Sequence, residues 1–391
     1  MNLYKLRADT PGTKNVIHFN NAGASLMPAP VYKAVTDYLY DEYMFGGYET
    51  ADKYKKVLNE FYSNAAMLIH AKSDEIAFME NATSAWDMAF YSIPFRKGDR
   101  ILTSKVEYAS NFIAFLQMQK RAGVVVDIIE SLPSGEIDSD ALETELKKRN
   151  VKLVSITHMP TNGGVVNPVE EVGKLAEKYN ALYLLDACQS AGQYPLDVNK
   201  IRCHFLSATG RKYLRGPRGT GFLYVNRQQL KTLEPVTLDL HSAEWKHKES
   251  YEIRNDAKRF EKWEAGLAGK YGLSVAIQYL LGLGIESVWD RVQYLAELMR
   301  NALQAIPGIE VLDQGKIKSG IVTFRSGSIS AEEIKKRLRE KAMNTSVAVR
   351  SHTLIDMEER KIDTAVRASV HYYNTEEEIE TFSETLMSLL K

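Results

Sequence analysis

Cysteine is nearly missing from this chain of 391 residues: only Cys188 and Cys203 occur, neither in a CxxC pair nor at a metal-ligand spacing. That excludes a disulfide framework and suits a reducing compartment. Net charge is missing as well, since 50 Lys plus Arg balance 50 Asp plus Glu. No overall field therefore draws the protein to nucleic acid or to an acidic membrane. Long apolar runs are absent, none approaching the roughly 18–20 residues that span a bilayer. The opening MNLYKLRADTPGTKN lacks the apolar core of a secretory signal. The expectation is a soluble, cytoplasmic protein with no membrane or nucleic-acid partner. Internal repeats, low-complexity tracts and proline-rich linkers are also lacking, which predicts units that are tightly joined.

What is present is ordinary globular material, 45% apolar and 26% charged, long enough for two domains with a substantial core. Short apolar runs at 75–79, 100–104, 124–129, 152–158 and 182–186 read as buried strands. Between them, 108–121, 139–149 and 169–179 carry helix-period apolar positions with charged outer faces. Two further strands are expected at 204–208 and 221–225. Such alternation predicts an α/β fold, a mostly parallel central sheet flanked by helices. After about residue 265 the pattern changes to helices at 268–282, 286–305, 331–341 and from 375, with strands at 320–324, 347–350 and 366–370. The expected division is a large unit, 16–265, and a smaller α+β unit formed by 1–15 and 266–391.

Ligands of an open parallel sheet sit beyond the carboxyl ends of its strands. Those ends here read ENATSAW, KVEYASN, MPTNGGVVNP and ACQS, a set of hydroxyls, amides, an aromatic ring and a carboxylate. ENATSAW places small and hydroxyl residues where a helix begins, which makes either an anion site or a simple cap by Asn81 or Thr83. Asp186 ends a very apolar strand, so its carboxylate should want a cationic partner. Lys212 follows another strand, in HFLSATGRKYLRGPRGTGF. With Arg211 adjacent and Arg215 close, like-charge repulsion is expected to lower its pKa. A lysine that releases its proton near neutrality can attack a carbonyl to form a Schiff base. A lysine for an aldehyde, an acid for a pyridinium nitrogen and a cradle for a phosphate together fit pyridoxal 5'-phosphate.

DACQSAGQ, FLSATGRKYLRGPRGTGFLYV, HFNNAGAS, ENATSAWD, THMPTNGGVVNP, RFEKWEAG and VRASVHYYNT resemble, in order and over nearly the whole chain, the class V aminotransferase family that includes the cysteine desulfurases. The resemblance implies a fold-type I pyridoxal-phosphate enzyme, working as a homodimer on a small-molecule amino-acid substrate. It further implies that Lys212 holds the cofactor covalently, that Asp186 pairs with the pyridine nitrogen, and that Gln189 approaches the phenolic oxygen. Thr83, Thr209 and Arg211 would bind phosphate, Arg211 standing where many relatives have histidine. Asn162, with Thr161 nearly as well aligned, would contact cofactor or substrate, and Arg367 would grip the substrate carboxylate. Tyr108 is the aromatic nearest to the place where desulfurases often stack a histidine on the ring.

One departure bears on the reaction. The persulfide-forming cysteine of the desulfurases belongs on a C-terminal-domain loop, and the corresponding RSHTLIDMEERKID contains none. The leading expectation is therefore a carbon–sulfur lyase, performing α,β-elimination on a cysteine derivative to give pyruvate and ammonia. An aminotransferase or an isopenicillin-type epimerase is the alternative within the family. A non-catalytic nucleic-acid binder using the basic cluster at 211–218 is the contrasting class. RGPRGTG fits neither a Walker A nor a dinucleotide pattern, and its glycines are expected to serve a sharp turn behind Lys212. His158, His352, His371, Trp263 and Glu264 stand near the expected site without an assigned role. Residues 241–260 are polar and aperiodic, either a loop reaching a partner's active site or a solvated segment.

Overall fold

A computed structural model describes residues 1–390. Its centre is a seven-stranded sheet built from β1 (Ile76–Met79), β2 (Arg100–Ser104), β3 (Val125–Ile129), β4 (Val151–Thr157), β5 (Leu182–Asp186), β6 (Phe205–Thr209) and β7 (Gly221–Val225). The spatial order is β1-β7-β6-β5-β4-β2-β3. Only β7 runs antiparallel to its neighbours β1 and β6; the other pairings are parallel. The seven expected strands lie within one residue of those observed.

Two-residue periodicity sends alternate side chains into two separate cores. Leu153, Leu184, Phe205 and Leu223 face Trp86, Phe90 and Phe115 on one side. Val154, Leu185, Leu206 and Phe222 face Phe61, Val172 and Ile277 on the other. Burial on both faces is why these strands read as unbroken apolar runs. The close antiparallel approach of β7 needs glycine at its start. A Cβ on Gly221 would come within 2.4 Å of the Ala208 carbonyl oxygen.

Helices α3 (Ala82–Tyr91), α4 (Ala109–Ala122), α5 (Ser139–Leu146) and α6 (Val169–Lys178) follow the expected pattern, apart from an earlier end to α5. Two long helices were not foreseen: α1 (Ala29–Phe45) and α2 (Gly47–Leu68). Gly46, at φ +96°, makes the break between them. Helix α7 (Leu267–Leu283) begins the expected smaller unit, yet lies along both α1 and α2.

The C-terminal sheet is antiparallel, with Ile309–Val311, Ile321–Ser326, Thr364–Ser369 and Ser346–Val349 side by side. Helices α8 (Ile285–Gln304), α9 (Ala331–Glu340) and α11 (Glu376–Leu389) cover it, and α10 (Leu354–Glu359) packs Met357 against Ala348 and Ala365 of the last two strands. The N-terminal segment is tied to this region by an Arg7–Glu378 ion pair at 2.7 Å and by parallel pairing of Ile17–His18 with Met343–Asn344. The segment expected to be aperiodic contains a hairpin, Ala243–His247 with Ser250–Ile253. Both its faces are largely exposed, so it leaves no apolar alternation to read. Among the described residues no single helix is long and apolar enough to cross a membrane; α7 and α8 reach that composition only jointly, across an 82° bend.

Candidate active site

The carboxyl ends of β1, β4, β5 and β6 converge on one cavity of about 310 Å³. Seven of the sequence-predicted residues share its wall: Thr83, Tyr108, Asp186, Gln189, Thr209, Arg211 and Lys212. At one side stands the N-terminus of α3. The Asn81 side chain accepts the Ser84 N–H at 2.8 Å, so Asn81 is a true cap. It nonetheless leaves first-turn N–H groups free at the cavity, beside Thr83. The cap and the use of this helix end for an anion are therefore compatible readings of one feature. Thr209 ends β6, and Arg211 with Arg218 and Gly219 completes this basic wall. The sequence reading did not single out Arg218.

Asp186 is buried, and its two oxygens are held separately. Oδ1 accepts the Cys188 N–H at 2.8 Å and Oδ2 accepts the Asn111 amide at 3.0 Å. Burial raises its pKa, opposed by those two hydrogen bonds and by Lys212. Lys212 is half-buried, with its amine 3.2 Å from Cys188 Sγ. Its pKa is lowered, first by burial, then by Arg211 and Arg367, against the opposing pull of Cys188 and Asp186.

The expected contribution of Arg215 to that shift is corrected. Arg215 is 1% exposed and turned away from the cavity. It donates to Leu26 O at 2.8 Å, Tyr372 Oη at 2.7 Å and Thr10 Oγ1 at 2.6 Å, and stacks over Tyr373 at 4.4 Å. The glycine-rich turn has a specific geometry. Gly219 sits at φ +74°, and a Cβ on Gly210 would lie 2.1 Å from Thr220 Oγ1. Arg215 itself takes up positive φ, at 58°.

Arg367 is buried and donates to Thr161 Oγ1 at 2.6 Å and Thr161 O at 3.1 Å; burial pulls its pKa down to about 10. Thr161 lines the cavity. Asn162 stands behind it, its amide committed to Val349 O at 2.9 Å and Thr353 Oγ1 at 3.2 Å. It ties the β4 loop to the C-terminal loop. The ring of Tyr108 lies 6.5 Å from that of His352.

The unassigned residues separate on burial. His158 is enclosed against Tyr194, ring to ring at 4.8 Å, with both nitrogens unpartnered and its pKa drawn down to about 3 by burial. His371 contacts Tyr213 O at 3.0 Å. Trp263 and Glu264 are exposed. In the same stretch Glu261 takes the structural role, accepting the Phe78 N–H at 2.8 Å and Tyr62 Oη at 3.0 Å. Cys188 was noted only for lacking a partner cysteine, yet it lines the cavity. Its spacing two residues after Asp186, at the end of an apolar strand, was the available signal.

The cavity fits pyridoxal phosphate on the chemistry of its donors. An amine and a carboxylate face the same space, next to a cationic wall and a helix N-terminus. Gln189 Oε1, on a residue that lines the cavity, is buried without any hydrogen-bond partner among the described residues, an expense that a bound polar ligand would relieve. Arg367, adjoining the wall through Thr161, likewise has Nε unpartnered.

Comparison with known proteins agrees with this geometry. The model of the family described as aminotransferase class-V matches residues 17–382. The chain is similar to a probable cysteine desulfurase of Methanothermobacter thermautotrophicus, 32% identical, covering 97% of this chain and 96% of that protein. It is similar to a probable cysteine desulfurase of Pyrococcus abyssi, 30% identical, covering 99% and 97%. Among solved structures, the apo cysteine desulfurase of Thermococcus onnurineus NA1 superposes with a TM-score of 0.92 at 27% identity, covering 99% of this chain and 97% of that one.

Proposed function

Because the chain belongs to the class V aminotransferase family, we propose that it is a pyridoxal-phosphate lyase cleaving the carbon–sulfur bond of cysteine or a cysteine derivative. The observation that carries the reading is that Lys212 and Asp186 share one cavity with Thr83, Thr209 and Arg211, which would cradle the phosphate. When bound, pyridoxal phosphate supplies an electron sink conjugated with the substrate α-carbon. Asp186 would hold the ring nitrogen and Gln189 the phenolic oxygen. Arg367, steadied by Thr161, would orient the substrate carboxylate. Lys212, whose amine lines the cavity and whose pKa burial lowers, is the group placed to take the α-proton. Loss of the β-sulfur then balances as a cysteine thioether plus water giving a thiol, pyruvate and ammonium.

The relatives' names point to sulfur transfer, which leaves alanine and a persulfide. The segment from Arg350 through α10 to Glu359 carries Ser351, His352 and Thr353 but no thiol, which favours elimination. Cys188 in the cavity is the one observation that favours transfer. Purified holoenzyme incubated with cysteine and with cysteine thioethers distinguishes the two. Steady pyruvate release without a keto-acid acceptor, retained in Cys188→Ala, is the expected result. Alanine as the main product, lost in Cys188→Ala, would sink the lyase reading.

The exposed aromatic side chains of α1, Tyr32, Tyr40, Tyr43 and Phe45, and of the first turn of α2, Tyr48, support a homodimer, since monomers rarely leave so many apolar side chains in water on one region of the surface. Light scattering of the purified protein checks it.

A further inference from the structure

Beside the cavity, between the end of β2 and the first turn of α4, lies a buried acid with no role in the reading above. Glu107 is 3% exposed. Its carboxylate accepts five hydrogen bonds: Thr103 Oγ1 at 3.0 Å, the Tyr108 N–H at 3.1 Å, the Asn111 amide at 2.7 Å, the Thr157 N–H at 3.1 Å and Thr157 Oγ1 at 2.6 Å. Five donors and no acceptor are the company of an ionised carboxylate. Burying such a charge unpaired is costly, and among the described residues no cation pairs with it. Lys105, the basic residue nearest in sequence, is held by Glu130 at 2.8 Å and Glu359 at 3.0 Å.

The same Asn111 nitrogen that donates to Glu107 also donates to Asp186 Oδ2, at 3.0 Å. One amide therefore bridges two buried acids, and the second of them lines the cavity. In so enclosed a place the charge of the first bears strongly on the second. We propose that Glu107 is a positioning residue for the cofactor: through Asn111 it fixes Asp186 Oδ2, and its charge adds to that of Asp186 to keep the ring nitrogen of bound pyridoxal phosphate protonated. The inference rests on the pyridoxal-phosphate reading of this cavity.

The surroundings agree with this direction. From β5 the group facing Glu107 is Asp186; Cys188 and, from the turn after β6, Lys212 lie on the far side of Asp186. From β4 they are Thr157 and, next in sequence, His158, which burial keeps neutral. From α4 it is Asn111, and from the turn before α4, Tyr108. Burial pushes the carboxyl of Glu107 up to about 7, Asp186 adds to the rise, and the hydroxyl and amide donors oppose it. A cation placed on Asp186 lowers both carboxyl pKa values, so cofactor and Glu107 charge favour each other.

The test uses holoenzyme loaded with pyridoxal phosphate labelled with nitrogen-15 in the ring, whose chemical shift reports ring protonation directly. Glu107→Gln keeps the shape and removes the charge. The ring nitrogen should then lose its proton at a pH lower by about one unit, a tenfold shift in that equilibrium, and cofactor should dissociate more readily. Glu107→Asp should restore much of the wild-type profile. Asn111→Ala, which breaks the bridge and spares the charge, should give a smaller shift in the same direction, and it carries the test alone if the glutamine variant does not fold. Nitrogen titrations that coincide with wild type in folded variants overturn the proposal. Failure of wild-type protein to retain labelled cofactor would instead overturn the reading of the cavity.

Discussion

Arg211 and Arg215 lie four residues apart in one basic cluster, and the structure assigns them opposite consequences. Replacing Arg215 by Met removes three hydrogen bonds, to Leu26 O, Tyr372 Oη and Thr10 Oγ1. Hydrogen bonds to a charged group contribute about 1.5–3 kcal/mol each, and an acceptor left buried and unsatisfied costs about 1–3 kcal/mol. The gross loss is partly offset, because a guanidinium 1% exposed no longer has to be desolvated. Thr10 also keeps its bond to Leu6 O at 2.7 Å. The stacking over Tyr373, 4.4 Å away, is lost as well, worth about 1–2 kcal/mol when desolvated. The net destabilisation should be roughly 3 kcal/mol, a drop of several degrees in melting temperature. Cofactor affinity of the folded fraction should hardly change. Arg211→Met should do the reverse, leaving the melting temperature near wild type and weakening cofactor binding about tenfold or more, as expected for one lost charged contact to phosphate. Calorimetric melting and fluorescence titration of apoprotein with pyridoxal phosphate measure the two effects. If Arg215→Met weakens cofactor binding at unchanged stability, the division of the cluster is wrong.

Two further outcomes follow from buried titrating groups. His158 has a folded-state pKa drawn down to about 3, so below about pH 6.5 the unfolded chain takes up a proton that the folded chain refuses. Stability should therefore fall as pH drops from 6.5, by up to about 1.4 kcal/mol per pH unit from this residue. His158→Phe should flatten that slope in urea titrations between pH 6 and about 4, and an unchanged slope would count against a neutral buried imidazole. The second outcome concerns the two thiols. Burial raises the pKa of both, which keeps the thiolate scarce at neutral pH. In native protein Cys203 should resist alkylation up to mildly alkaline pH and react fully in denaturant. Cys188 should be modified faster than Cys203, and bound cofactor should protect it; equal rates by mass spectrometry would contradict its place in the cavity.

Most strands of the central sheet were legible because they are buried on both faces, and a run such as LYLLD at 182–186 allows few other readings. The candidate site was legible in part for a related reason. A parallel sheet exposes only its strand ends to ligand, so Asp186 and Lys212 could be named from their positions after apolar runs, while Thr209 was named by the family resemblance. Helices α1 and α2 were not read, and the hairpin after residue 242 left no apolar pattern at all.

By itself, the sequence determined the strands of the central sheet and the family, and it nominated Asp186 and Lys212 from residue type and local order, whereas the phosphate cradle of Thr83, Thr209 and Arg211 came from the family resemblance. Side-chain direction was decided only in three dimensions. Arg215 and Arg211 are alike in charge and close in sequence, yet one points into a buried joint between the chain's two ends and the other into the cavity. Cys188 and Thr161 entered the cavity wall, and Asn162 turned behind it, for the same reason. The bridge from Glu107 to Asp186 depends on a bond between Asn111 and Asp186, 75 positions apart. No local pattern encodes it, since the two carboxylates meet only when β5 has docked within reach of the end of β2.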